Sequence, residues 1–441
     1  MRNNGVFSTD WINSRPVFYN EATGTASHSI HDVIDPADFD FDPDGLRAFL
    51  DCGYAAFTVT PVRHVRFLPP NAVWDAQARC VKASPDPAVK WLDKESREDA
   101  LLAYIQRAIR RWEKSVDGPI VIPTSGGYDS RLLNAMIEEK ERIRAFTYGI
   151  STLQEQSFES VRAQEVCKRL GVRWERIDLG LYHRYLDRWD AVFGPSAHAH
   201  GMYHMEFYDR IRERLGTGAP FLSGIIGDGF SGKVRVPPIT DVESVKRLFL
   251  TYGLNADSSQ CLLPATRDLF DEYYRSRRDL LASESYRIVE LLRNKMMLLR
   301  YLMVTPVLFG FAPWSPFLDI NVGMGMLRLP DNRRQDRLWQ KEYFARRNLD
   351  VESAGLAEDK DNTLNLQAIL LSPPDPLDPE LLREIINPDY VRWANMGMLR
   401  HAKNLPGVTR QGVLKAYFAY LTMRPLEKLI RRRDAALRGA S

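Results

Sequence analysis

Thr124-Ser125-Gly126-Gly127-Tyr128-Asp129-Ser130 is the stretch of this chain whose residue types and spacing are best suited to chemistry. Two adjacent glycines let the backbone turn its N–H groups into a concave nest for an anion, and Ser125 and Ser130 add hydroxyl donors. Asp129 by itself would repel a phosphate, so a carboxylate at that position calls for a bridging cation, most simply Mg²⁺. The loop suits pyrophosphate. A glycine turn capped by Ser and Asp is the plain alternative, and the whole SGGxDS string, set between a buried strand and a helix, is what tells the two apart.

The flanking elements supply that setting. Pro119 to Pro123 (PIVIP) is a short continuous apolar run, which predicts a strand buried on both faces, and Ser130 to Lys140 reads as the helix after it. Arg144 to Gly149 predicts a second strand, Glu155 to Leu170 a helix closed by a left-handed cap at Gly171, and Val172 to Leu179 a third strand. Met202 to Leu215 predicts a helix and Phe221 to Ile226 a fourth strand. This alternation predicts an α/β fold, a parallel sheet with helices on both faces, in which ligands bind beyond the carboxyl ends of the strands. The helix N-terminus after the loop adds partial positive charge at that place. Upstream, Phe57–Thr60 and Val62–Leu68 read as short strands, and Leu101, Ile105, Ala108 and Trp112 mark an amphipathic helix. Ala83 to Pro87 is a connector, so the chain divides into a small α+β part, 1–88, and a larger part, 89–441. From Asp241 onward the pattern is mostly helical, with a buried helix from Met296 ending near Pro306, another from Gln411 to about Thr422, and a last one near the C-terminus.

The bulk numbers fit a globular chain of 441 residues, 44% hydrophobic, which can bury a large core. Sixty Lys and Arg against 57 Asp and Glu leave the balance near neutral, which argues against nucleic acid as a partner. The run Arg431-Arg432-Arg433 reads as the solvated face of a helix. Four scattered cysteines, Cys52, Cys80, Cys167 and Cys261, form no CxxC pair and suggest neither a zinc site nor a disulfide framework. No apolar leader or bilayer-length span is legible, so a cytoplasmic location is expected. His198, His200 and His204 (HAHGMYH) have one i, i+4 pair but no glutamate between, and read first as helix-start packing, then as substrate contacts, and last as zinc ligands. Trp174, Tyr182, Tyr185 and Trp189 read as core.

SGGYDS is the motif of the PP-loop ATP pyrophosphatases, and the wider pattern resembles their asparagine synthetase branch. Ala163, Val166, Leu170 and Gly171 resemble the family's "A..VA..LG" helix. Phe221 to Phe230 (FLSGIIGDGF) resembles "LSGEGxDExF", Ala312 to Asp319 (APWSPFLD) resembles "R-x-PFLD", and Thr60 to Pro70 resembles the stretch closing the glutaminase domain. The resemblance spans roughly residues 40–360 and implies an adenine nucleotide alpha hydrolase-like PP-loop domain. It implies further that a substrate carboxylate attacks the α-phosphate of ATP and that ammonia or an amine then attacks the acyl-adenylate. By position, Ser125, Gly126, Gly127, Tyr128 and Ser130 would hold pyrophosphate, and Asp129 and Asp228 would hold Mg²⁺. Thr147, Tyr148, Gly149, Ser223 and Gly224 would lie at the adenosine. Lys360 would stabilise the transferring phosphoryl group.

The chain departs from the family in two places. Position 2 is Arg2 and the first cysteine is Cys52, so the N-terminal cysteine of a glutaminase is lacking; residues 1–88 are expected to be a truncated remnant without glutamine hydrolysis. Ile225 and Gly229 stand where the family has glutamates, which makes asparagine an unexpected product. The leading expectation is an AMP-forming amide ligase acting on a small-molecule carboxylate such as a uronic-acid sugar, with ammonia or an amine as donor, from solution or from a separate glutaminase. A lactam-forming cyclase, a tRNA-modifying PP-loop enzyme and a non-catalytic nucleotide binder are the alternatives.

Overall fold

The structure, a computed structural model, describes residues 7–250, 254–402 and 409–439. Five strands make one parallel sheet in the order β11-β10-β7-β8-β9: β7 (Ile120–Pro123), β8 (Ile143–Thr147), β9 (Arg173–Arg176), β10 (Pro220–Leu222) and β11 (Ala312–Trp314). Ile120, Val121 and Ile122 of the central strand are wholly buried, as an apolar run covered on both faces must be. The chain leaves β7 to lay β8 and β9 on one side, then returns to lay β10 and β11 on the other. The order therefore reverses between β7 and β10, and the loops after these two strands open side by side.

Helices cover both faces. Leu101, Ile105 and Ile109 form the buried stripe of α2 (Glu98–Glu113). After β7 comes α3 (Tyr128–Met136), and after β8 comes α4 (Phe158–Leu170). Gly171 ends α4 at φ 67°, its N–H returned to the Cys167 carbonyl, the left-handed cap the glycine predicts. Helix α5 (Leu186–Phe193) and helix α6 (Tyr203–Leu215) follow β9, and the five-residue α7 (Gly227–Ser231) follows β10.

Residues 7–88 build two three-stranded antiparallel sheets. One joins β1 (Phe7–Ser8), β5 (Ala72–Asp75) and β6 (Cys80–Ala83); the other joins β2 (Phe18–Asn20), β3 (Ala26–Ser27) and β4 (Val65–Phe67). Helix α1 (Pro43–Cys52) starts at Asp42, whose side chain accepts from the Asp44 and Gly45 amides. Phe18, Leu46, Phe49 and Tyr54 belong to the same apolar core as Phe221, Met296 and Tyr417. Trp11 donates from Nε1 to the Leu318 carbonyl at 2.8 Å. This part packs into the larger one and shares its core.

Four expectations are corrected. Phe57–Thr60 is no strand, because Phe57 and Thr58 lie at φ 55° and 61°; their β-forming side chains suit an extended chain, but the backbone turns there. The helix expected from Met296 does end near Pro306, at Leu308, but it starts earlier and is two helices, Glu284–Leu299 and Tyr301–Leu308. The two C-terminal helices expected from Gln411 onward are one, Arg410–Gly439, which runs through Pro425. Packing explains this, since Leu421, Met423, Leu426 and Leu429 on both sides of the proline are buried and hold the axis across the lost hydrogen bond. The fifth strand, β11, was not expected; its Pro313 is tolerated because β11 is an edge strand. All four cysteines are free, and no helix among the described residues is long and apolar enough to cross a membrane.

Candidate functional site

A cavity of about 380 Å³ opens where β7 and β10 diverge. Its lining includes Ser125, Gly127, Tyr128, Asp129 and Ser130 after β7, Thr147 and Tyr148 after β8, and Ser223, Gly224, Ile225 and Asp228 after β10. Residues separated by a hundred positions meet here because the strand order reverses at this point. Three of the predicted residues stay out of the lining: Lys360 and two glycines. Gly126 turns its missing side chain toward α4, where a Cβ would come within 2.8 Å of the Arg162 side chain. Gly149 lies against Gln154, whose carbonyl a Cβ would meet at 2.2 Å. Both are glycines for close backbone approach rather than for contact with a ligand.

The loop after β7 is held from within. Ser130 Oγ accepts from the Ser125 amide at 3.1 Å, and Ser125 Oγ accepts from the Gly127 amide at 3.2 Å. Below it, fully buried Arg131 donates to the Gly126 carbonyl at 2.9 Å and makes a two-pronged pair with Glu352 at 2.8 Å on each prong. The loop thereby rests on a rigid charged strut.

Asp129 and Asp228 face each other across the cavity floor. Asp129 Oδ1 is out of solvent and has no hydrogen-bond partner. Its carboxyl is held well above the usual range, by burial first and by the negative charge of Asp228 second; Arg337 and Lys233 oppose this only weakly. Gly227 makes the approach possible, because a Cβ there would lie 2.7 Å from Asp129 Cγ. The turn into α7 is strained, with β-branched Ile226 at φ 54°. An orphaned buried carboxylate oxygen opposite a second carboxylate is the donor set of a divalent cation that takes its remaining ligands from phosphate and water. The two carboxylates therefore fit a divalent cation such as Mg²⁺, although no cluster of three or more His, Cys, Asp or Glu suited to a metal occurs among the described residues.

Two basic residues that the sequence did not single out also line the cavity. Lys233 Nζ lies 3.2 Å from Asp228 Oδ2. Arg337 sits at φ 56°, after Asp336 at φ 49°, and places its guanidinium 4.1 Å from the centre of the Tyr128 ring. Lys360, by contrast, is 72% exposed, bonded to Glu358 at 3.4 Å and outside the lining. Its segment is nevertheless fixed beside the cavity wall. The Phe158 amide donates to the Asp359 carbonyl at 2.9 Å, and Glu358 pairs with Arg162 of α4.

The other side of the cavity is aromatic. Thr147 accepts from Trp174 Nε1 at 2.9 Å, and Tyr148, Phe158, Phe207 and Tyr208 form walls. His204 joins them, its Nε2 3.3 Å from the Tyr148 hydroxyl, and burial pushes its imidazole down to about 3, so it carries no charge. His198 lies apart in the core beside Gly53 and Thr422, and no metal group joins the three histidines. Helix packing accounts for His198, and a cavity position for His204. Tyr182 and Trp189 are wholly buried, while Trp174 and Tyr185 pack partly buried against the same core.

Compared with protein-family models the chain matches none, and compared with curated proteins it matches none.

Proposed function

We propose that this chain is an ATP-dependent, AMP- and pyrophosphate-forming ligase that activates a substrate carboxylate and passes it to ammonia or an amine. The observation that carries the reading is Asp129, whose buried Oδ1 has no hydrogen-bond partner, set against Asp228 in the SGGYDS loop's cavity, at the point where the strand order reverses. The resemblance to the asparagine synthetase branch of the PP-loop family points the same way, and the five-stranded parallel sheet is compatible with it.

On this reading the Ser125–Ser130 loop and the first turn of α3 take the pyrophosphate end of ATP, with Lys233 and Arg337 adding positive charge at the mouth. Asp129 and Asp228 would hold Mg²⁺, which supplies neutralisation of charge gathering on the leaving pyrophosphate. Thr147, Tyr148, Ser223 and Gly224 hold the adenosine, while Gly149 and Gly126 let the chain turn closely around it. The substrate carboxylate is oriented in line with the bond to pyrophosphate and attacks the α-phosphorus. Lys360, on the segment fixed beside α4, is the further cation for the transferring group. The substrate class is a polar small-molecule carboxylate, for which a uronic-acid sugar is the first choice.

The test is the nucleotide product of Mg²⁺-ATP with ammonium and a panel of uronic and amino acids. AMP and pyrophosphate, dependent on one carboxylate and lost in Asp129→Ala, is the expected result. ADP as the product would overturn the proposal. The second reading, a non-catalytic nucleotide binder, is favoured by one observation: Ile225, where the family has an acid, is an apolar, buried part of the lining. Nucleotide binding without turnover across the panel would establish it.

A further inference from the structure

The cavity lining contains three acids, and two of them are accounted for at its phosphate end. The third, Glu159, stands in the first turn of α4 on the aromatic side, among Tyr148, Phe158, His204 and Phe207. One of its oxygens, Oε2, accepts from the Ser157 hydroxyl. Arg162, one turn further along α4, is taken by Glu358 and Glu352. Among the described residues Glu159 forms no salt bridge, and burial raises its carboxyl above the usual range. The one cation that acts on it, Arg162, is shared with Glu358 and Glu352, and the other side chains around it are uncharged. The His204 imidazole is neutral, and burial keeps the Tyr148 and Tyr208 hydroxyls protonated. Ile225, on the β10 side, contributes only apolar surface.

A carboxylate without a salt bridge in a cavity lined by aromatic side chains is chemistry that receives a protonated amine: aromatic rings attract the cation through their quadrupoles and the carboxylate completes the charge. Resting on the ligase reading above, we infer that Glu159 receives the amine nucleophile, ammonium or a primary organic amine, and takes a proton from it. The ammonium ion gives one proton to the Glu159 carboxylate. The freed lone pair then forms the C–N bond at the acyl carbon, and the C–O bond to AMP breaks with its electron pair leaving on the AMP phosphate. The second proton of the new amide nitrogen is lost to solvent. Glu159 thereby supplies, from the α4 side, the acid that the β10 loop lacks at Ile225.

The experiment compares wild type with Glu159→Gln and Glu159→Asp. Three quantities are measured: Mg²⁺-ATP binding by calorimetry, carboxylate-dependent exchange of pyrophosphate into ATP, and amide formation with ammonium, methylammonium or hydroxylamine. The expected result for Glu159→Gln is a loss of about 10²–10³ in amide formation with ammonium, the range of a general base. ATP binding and exchange change by less than about threefold (~0.7 kcal/mol), and Glu159→Asp recovers part of the rate. Hydroxylamine, already unprotonated at neutral pH, is converted at close to the wild-type rate. The relative saturation by ammonium and methylammonium identifies the source of the amine.

Equal loss of ATP binding or exchange in Glu159→Gln would mean that the residue reads the nucleotide or holds the wall, and would overturn the inference. So would an unchanged ammonium rate, or a loss equally large with hydroxylamine. Absence of exchange in the wild type would refute the ligase reading itself, a result distinct from either.

Discussion

Asp129→Asn should stabilise the protein in the absence of divalent cations and lose that advantage in the presence of Mg²⁺-ATP. In the folded chain the Asp129 carboxyl is pushed up from 3.8 to about 8, chiefly because it is buried and secondly because Asp228 faces it. The sign follows from linkage. Below the unfolded value of 3.8 both states carry the proton and the residue costs nothing. As the pH rises from there to about 8, the unfolded chain releases its proton first, so folding pays a growing penalty that levels off above the folded value. At about 1.4 kcal/mol per tenfold change in proton affinity, the rise from 3.8 to about 8 sets a ceiling of about 6 kcal/mol. Asp228 is 45% solvent-exposed and relaxation admits water, so an expected gain of about 1–3 kcal/mol at pH 8 is the realistic figure. Asparagine keeps the shape of the side chain and removes the charge.

Urea unfolding of wild type and Asp129→Asn in chelator, at pH 5 and pH 8, measures this directly. The mutant should be the more stable at pH 8, and the difference should shrink markedly at pH 5. Saturating Mg²⁺-ATP should then cancel or reverse the difference. A ligand at about 100 times its Kd adds about 2.7 kcal/mol to the protein that binds it, a gain the mutant should largely lose. A mutant less stable than wild type at pH 8 in chelator would refute the reasoning. A difference that does not vary with pH would refute it equally, since it would show that the effect is one of packing rather than of charge.

Gly227→Ala puts a Cβ 2.7 Å from Asp129 Cγ; it should weaken Mg²⁺-ATP binding at least about tenfold (~1.4 kcal/mol) by calorimetry while circular dichroism stays unchanged. Arg131→Ala leaves Glu352 without its buried partner and releases the Gly126 carbonyl, so denaturant unfolding should show a loss of about 3–5 kcal/mol. Lys233→Ala and Lys360→Ala should differ in kind: the first, which lines the cavity, should raise the Kd for ATP, and the second, exposed beside the wall, should lower the rate of pyrophosphate release with the Kd unchanged. Equal effects of the two on the Kd would remove the distinction drawn between them.

The parts of the site that were legible are those written in local chemistry. Ser125 to Ser130 mark a glycine turn between a buried strand and a helix, which the structure places in the cavity lining, and Gly171 marks the end of α4 by its missing side chain. Lys233 and Arg337 were not legible, because each reaches the cavity through tertiary structure. Arg337 does so from two consecutive left-handed residues, Asp336 and Arg337, neither of which is a glycine or an asparagine. Phe57 and Thr58 misled for the same reason: their side chains favour strands, and the backbone conformation is imposed by the packing around them. Glu159 sits in the first turn of an otherwise ordinary amphipathic helix, and only its place in the cavity lining without a salt bridge sets it apart.

Strain at this site has an identifiable structural cause. Ile226 is β-branched and lies at φ 54°, a conformation costing about 1–3 kcal/mol that a glycine at this position would avoid. The turn it makes carries Gly227 and Asp228 against Asp129, while its own side chain stays buried in the core. Both features oppose folding in the absence of ligand, the twisted backbone at Ile226 and the buried acid at Asp129 beside a second carboxylate. A cation shared by Asp129 and Asp228 relieves only the second. The two costs are therefore separable: changes at Ile226 should alter stability to the same extent with or without Mg²⁺-ATP as long as Asp228 keeps its place, whereas changes at Asp129 should not. A double-mutant cycle of Ile226→Gly with Asp129→Asn in chelator should accordingly be near additive, within about 0.5 kcal/mol. A large coupling would show that the strained turn exists to hold the charge pair apart.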